Sequence, residues 1–154
     1  TDCADYDGRT AAHLAAAHGH TSCLLALRDA HHDLGAVDRF GTTPLLEAVI
    51  NYHDAAVTFL HDDVGLDLAL SERHLASRLC EAAENGDARL VLLYLRAGAD
   101  PDAADYDERT GLMLAAACGN AAVCRAFLDA GADPRKKDRW GHDAEEEARF
   151  HGHA

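Results

Sequence analysis

The feature that most constrains this chain is that it repeats itself. Displaced by 100 positions, Ala4-Asp5-Tyr6-Asp7-Gly8-Arg9-Thr10 falls on Ala104-Asp105-Tyr106-Asp107-Glu108-Arg109-Thr110, and Leu14-Ala15-Ala16-Ala17 falls on Leu114-Ala115-Ala116-Ala117. Gly19 meets Gly119, Asp29-Ala30 meets Asp129-Ala130, and Asp38-Arg39-Phe40-Gly41 meets Asp138-Arg139-Trp140-Gly141, all without a gap. Self-similarity on this scale marks a fold built by stacking copies of one small unit, and it takes precedence over any element-by-element assignment.

The intermediate copies fix the period. Thr43-Pro44-Leu45-Leu46 lies 33 positions after Thr10, and Leu79-Cys80-Glu81-Ala82-Ala83 precedes Asn85-Gly86-Asp87 in the same phase. The units run approximately over residues 5–37, 38–71, 72–104 and 105–137, with a half-unit over 138–154. Residues 1–4 align with Pro101 to Ala104 and so read as the exit loop of a preceding unit, which predicts a native chain that continues upstream.

Each unit carries the same local instructions. An Asp-x-x-Gly tip supplies turn chemistry, and the Thr after it caps a first helix. Pro44 sits just inside its helix, where the missing N–H costs nothing. The runs Ala15 to Ala17 and Ala115 to Ala117 form helix readily and let neighbouring helices approach closely. Gly19, Gly86 and Gly119 end the first helix. A second helix follows, with a stripe such as Leu90, Val91, Leu93, Tyr94 and Leu95, or Val123, Phe127 and Leu128, that needs an adjacent unit to cover it. The third unit departs at its entry, where residues 66–74 replace the turn-bearing finger, so a gap is expected there and the helix is expected to begin near Ser71. The half-unit, Asp143-Ala144-Glu145-Glu146-Glu147-Ala148-Arg149-Phe150, reads as a polar first helix suited to an outer cap.

A unit of about 33 residues with a turn and two helices resembles the ankyrin repeat. The implied fold class is an all-α ankyrin repeat solenoid, with helix-turn-helix pairs and hairpin-like fingers. The phrases Asp5-Tyr6-Asp7-Gly8-Arg9-Thr10, Asp38-Arg39-Phe40-Gly41-Thr42-Thr43-Pro44-Leu45-Leu46-Glu47-Ala48 and Lys137-Asp138-Arg139-Trp140-Gly141 are more particular. They resemble the cytoplasmic ankyrin domain of plant outward-rectifying Shaker-type potassium channels, and also the ankyrin tails of glutaminases and asparaginases. The resemblance implies a regulatory or docking module. The chain departs from that pattern at Ala11-Ala12, at Thr110-Gly111-Leu112-Met113 and at His31-His32.

Ankyrin arrays bind through finger tips and the groove of first helices, and the resemblance carries this over position by position. It selects Tyr6, Asp7, Arg9, Ala17 and His18, then Arg39, Phe40, Thr42, Ile50 and Asn51. The later counterparts are Glu84 and Asn85, then Tyr106, Asp107, Arg109 and Cys118, then Arg139, Trp140 and His142. Aromatic and arginine side chains are the usual anchors of an interface. The competing reading, left open by the residues alone, is that the finger rings lie against the next finger.

Charge and composition narrow the partner. With 27 acidic against 14 basic residues the formal charge is -13, which repels phosphate backbones and anionic membrane surfaces. The expected partner is a protein with basic or apolar anchors, not nucleic acid, and no segment is apolar enough for membrane insertion. Five cysteines without CxxC pairing, mostly in apolar helical runs, suit a reducing, cytoplasmic compartment. The 11 histidines show no paired helical ligand spacing, so no metal site, cofactor or catalytic residue is expected. His13 and His20 occupy positions at which the repeat backbone is usually bridged. Cys118 and His18 fall three units apart, roughly 30 Å at ~10 Å per helix layer, too far for a catalytic dyad.

Overall fold

The computed structural model describes residues 3–153; the part of the exit-loop expectation that falls on Thr1 and Asp2 lies outside the described residues. Within them the chain forms nine α-helices: α1 (Ala11–Ala17), α2 (Thr21–Asp29), α3 (Pro44–Ile50), α4 (Asp54–Thr58), α5 (Glu72–Glu84), α6 (Ala88–Arg96), α7 (Gly111–Ala117), α8 (Ala121–Asp129) and α9 (Ala144–Phe150). The class is all-α, as the period implies. The described residues contain no strand, only the isolated antiparallel bridges Ala4 to Thr10 and Ala104 to Thr110 that pinch the bases of two fingers.

Two compact units divide the chain, one of residues up to Ala69 with Arg96–Gly98, the other of Leu70–Leu95 with the residues from Ala99 onward. In the first unit α1 packs on α2 and α3, and α3 on α4. Its centre is Leu24, Leu45, Val49, Val57 and Leu60, all fully buried. In the second unit α7 lies between α5 and α9 and also packs on α8. Leu79, Val91, Leu93, Tyr94, Met113, Val123 and Phe127 fill that core. The expected second-helix stripe is therefore buried at Val91, Leu93 and Tyr94 and at Val123 and Phe127, but Leu128 is half exposed. One residue past Phe127, it has turned about 100° out of the buried stripe.

Local chemistry sets the helix ends. The Thr43 hydroxyl accepts from Leu46 N at 3.3 Å with Pro44 at the first helical position, Thr110 accepts from Met113 N at 3.4 Å, and Ser71 caps α5 through His74 N at 3.4 Å. Asp143 and Glu146 close a reciprocal capping box on α9 at 3.0 and 2.9 Å. Three first helices, α1, α5 and α7, stop at a glycine with left-handed backbone, Gly19 at φ +68°, Gly86 at +71° and Gly119 at +71°, whereas after α3 Tyr52 takes that conformation at +62°. The glycine positions are doubly demanding, because a Cβ on Gly19 or Gly119 would lie 2.6 or 2.8 Å from the ring of His53 or His153. His53 uses that space to reach the Ala17 carbonyl with Nε2 at 2.9 Å, and Asn120 donates likewise to Ala83 O at 3.3 Å. His20, the residue one period before His53, is exposed.

One feature is invisible in the periodic pattern. After five residues α4 loosens into a π-helical turn, Phe59–Asp63, with Phe59 and Leu60 buried. His61 Nδ1 then meets Leu66 O at 2.9 Å and secures the chain as it leaves the helix.

Candidate functional site

Four fingers are made by one device. In each, a single aspartate oxygen accepts two backbone N–H groups: Asp5 from Asp7 and Arg9, Asp38 from Phe40 and Thr42, Asp105 from Asp107 and Arg109, and Asp138 from Trp140 and His142, at 2.8 to 2.9 Å. Closing the turn this way throws the next aromatic residue outward. Tyr6, Phe40, Tyr106 and Trp140 are 93%, 71%, 79% and 61% exposed. Asp138 shows the electrostatic result: burial acts to raise its carboxyl pKa, but the bonds from His142 and Trp140 outweigh it and the net shift is downward.

Adjacent fingers within each unit are joined by one arginine. Arg39 N–H donates to Asp7 O at 3.0 Å, its Nη1 pairs with Asp7 Oδ1 at 2.9 Å, and its guanidinium stands 5.3 Å from the Tyr6 ring and 5.5 Å from Phe40. Arg139 repeats this on Asp107 at 2.6 Å, between Tyr106 and Trp140 at 5.8 and 5.6 Å. Such exposed cation–π contacts are worth about 0.5–1 kcal/mol each. The rings thus steady the arginine on one face and leave the other open.

The structure brings together Tyr6, Asp7, Arg39 and Phe40 in one unit, and Tyr106, Asp107, Arg139 and Trp140 in the other. It places His18, Asn51 and Cys118 exposed at the ends of α1, α3 and α7, and Glu84 and Asn85 exposed at the end of α5. Ile50, the last residue of α3, is 37% exposed. Arg9 and Arg109 point elsewhere. Arg9 turns back from its finger to pair with Glu47 Oε1 at 2.8 Å, and Arg109 faces Glu147 Oε2 at 3.9 Å. Thr42 is drawn inward too, since its carbonyl accepts from buried His13 Nε2 at 2.9 Å. Thr10 N–H donates to His13 Nδ1 at 3.1 Å, so the imidazole carries its proton on Nε2. His13 bridges backbones as expected.

The structure also shows features that the motif reading missed. A cleft of 540 Å3 lies between the start of α5 and the Tyr106 finger, bordered by Glu72, Arg73, Asp102, Glu108 and Lys136. Glu72 and Arg73 belong to the irregular entry of the third unit, residues 66–74, and that irregularity was the signal for it. A second cleft, of 370 Å3, is bordered by Trp140, Phe150, His142, Glu147 and His151. There the ligand-type atoms of Asp138, His142 and Glu147 lie within 4.8 Å of one another. The signal was the 100-residue alignment itself, which sets His142 on Thr42 and His151 on Asn51.

All five cysteines are free thiols. Burial, reinforced by Asp105 and Glu84, pushes the Cys80 thiol up to about 12, and its Sγ donates to Arg109 O at 3.6 Å. Protonated and engaged, it is a packing group rather than a nucleophile. No helix among the described residues is long and apolar enough to cross a membrane.

Comparison with known proteins agrees with this architecture. A family model of ankyrin repeats (3 copies) matches residues 1–71 and 79–154. L-asparaginase of Dirofilaria immitis is 32% identical over 108 residues, which are 70% of this chain and 18% of that protein. Potassium channel AKT2/3 of Arabidopsis thaliana is 30% identical over 113 residues, 73% of this chain and 14% of the channel. The chain therefore spans less than a fifth of the length of these curated relatives. Among solved structures, the ankyrin repeat domain of Bcl-3, described as a unique member of the IkappaB protein family, superposes with a TM-score of 0.69 at 31% identity, covering 94% of this chain and 65% of that one. With turns, caps and helix pairs in place and the family model matching almost end to end, the chain belongs to the ankyrin repeat family.

Proposed function

We propose that this chain is a non-catalytic protein-binding module that takes its partner on the finger tips and on the exposed ends of its first helices. The observation that carries this reading is the exposure of Tyr6, Phe40, Tyr106 and Trp140, held in place by Arg39 and Arg139. Large rings pre-ordered at the surface offer contact area at little entropic cost, and they are enriched among interface anchors. The formal charge of -13 favours a partner that presents basic or apolar residues.

The test is a pull-down with this chain as bait, repeated with Phe40→Ala and Trp140→Ala combined. Partner capture is expected to fall at least tenfold while the melting temperature moves by no more than about 2–4 °C. If binding and melting temperature fall together, the rings are finger packing and the proposed surface is wrong.

A second reading rests on the two curated relatives, a potassium channel and an asparaginase, each far longer than the matched region. In it the module is a regulatory domain on the cytoplasmic side of a larger channel or amidohydrolase. Membrane spans or an amidohydrolase domain in the flanking sequence decide between this and a free-standing adaptor.

A further inference from the structure

We propose that Asp138, His142 and Glu147 form a binding site for a divalent transition-metal ion of the zinc class. His142 Nδ1 lies 3.4 Å from Glu147 Oε1 and 3.9 Å from Asp138 Oδ2. Around an ion bound at about 2.0–2.2 Å, tetrahedral geometry sets neighbouring ligand atoms roughly 3.3–3.6 Å apart; the His142–Glu147 pair already has that spacing, and with all three atoms within 4.8 Å a side-chain movement of about 1 Å closes the set. One imidazole and two carboxylates suit zinc, cobalt or manganese. Three protein ligands leave a fourth position for water, and the 370 Å3 cleft beside Trp140 and Phe150 lets the ion in.

The ligands are held from behind. Asp138 has a side chain only 1% exposed, and its Oδ1 is anchored by Trp140 N and His142 N at 2.9 Å each, which leaves Oδ2 on the His142 side. Glu147 turns Oε1 to His142, while Oε2 faces His151 Nε2 at 3.6 Å and Arg109 Nη2 at 3.9 Å. Outer partners of this kind orient a ligating carboxylate. Arg109, whose charge opposes a cation, borders the same cleft and stands 3.9 Å from Oε2, the Glu147 oxygen that does not face His142.

The other copy of the same arrangement gives an independent comparison. There Asp38, Thr42, Glu47 and Asn51 occupy the equivalent positions. Glu47 is saturated by Arg9 at 2.8 Å and Asn51 at 3.2 Å, and position 42 offers no ring nitrogen. In the second copy both residues flanking the glutamate are histidine and the arginine has drawn back to 3.9 Å. The histidine spacing along the chain conceals the site because Asp138 and His142 come from the finger and Glu147 from α9.

The test is titration of the full chain with Co2+ under reducing conditions, read by its visible absorption, followed by displacement with Zn2+. One equivalent is expected to bind with a tetrahedral spectrum and without the thiolate charge-transfer band that cysteine ligation would give. His142→Thr, which copies the residue already tolerated at position 42, is expected to weaken binding roughly a hundredfold with unchanged helical content. His151→Ala, acting through Glu147, is expected to weaken it about tenfold. Absence of binding at about millimolar Co2+, a thiolate band, or full binding by the His142→Thr protein overturns the proposal.

Discussion

Residues 5–30 and 105–130 are two copies of one instruction, and they end in different environments. Leu14 is 49% exposed while Leu114 is 3% exposed; Cys23 and Ala26 are exposed while Val123 and Ala126 are buried. The cause is the neighbourhood. α7 has α5 on one side and α9 on the other, whereas among the described residues α1 packs against α3 alone in its row. The uncovered side of α1 and α2 is a shallow apolar face that includes Leu14, Ala15, Cys23, Ala26 and Leu27. A repeat of this kind carries an apolar stripe on each side, and the fold of one copy says nothing about whether both are covered.

The second copy also packs its own two helices differently. Phe127 is fully buried and its ring occupies the space above Gly111, where an added Cβ would come within 2.3 Å of Cζ. The first copy has Leu27 and Ala11 at these positions. Ring and glycine have been exchanged together, so total volume is conserved across the pair.

The sharpest way to break the comparison is to truncate both copies. Phe127→Ala is expected to cost about 3–5 kcal/mol in urea unfolding, and Leu27→Ala, at a half-covered position, less than about 1.5 kcal/mol. Equal losses would mean that the two faces are equally packed. Next in size is Gly111→Ala, expected to cost about 1–3 kcal/mol by driving into the Phe127 ring. Adding Phe127→Leu, which restores the pairing of the first copy, is expected to recover more than half of the loss in a double-mutant cycle. Additive effects would show that the two positions do not share the space. The smallest effect concerns the finger turn, where Glu108 holds φ +60° in the place that Gly8 occupies at +77°. Glu108→Gly is expected to raise stability by about 0.5–1 kcal/mol, measured as a higher urea midpoint, because the left-handed backbone is costly for a residue with a Cβ. No gain, or a loss, would place the value of Glu108 in its side chain.

Much of the fold was legible because its determinants act over a few residues. Asp38 and Asp138 close their own turns, Thr43 and Thr110 cap the helices that follow them, and Gly19 and Gly119 stop those helices. The π-helical turn at Phe59–Asp63 was not legible, since the same backbone bonds are made with a one-residue shift and nothing in the apolar pattern requires it. Finger residues were found by phase, but phase could not reveal that Arg9 and Thr42 are committed inside the chain while Arg39 is placed between two rings.

The amino-acid order alone determined the repeat, the all-α class, the turn of each of the four fingers, the helix caps, and the acidic surface. These follow from backbone hydrogen bonding, conformational preference and charge, all of which are short-ranged or simply additive. Only tertiary structure decided which of two equal apolar stripes is hidden, which arginines remain at the fingers, and that Asp138, His142 and Glu147 converge within 4.8 Å. Those outcomes depend on what another helix places across the gap, and no local interaction encodes that.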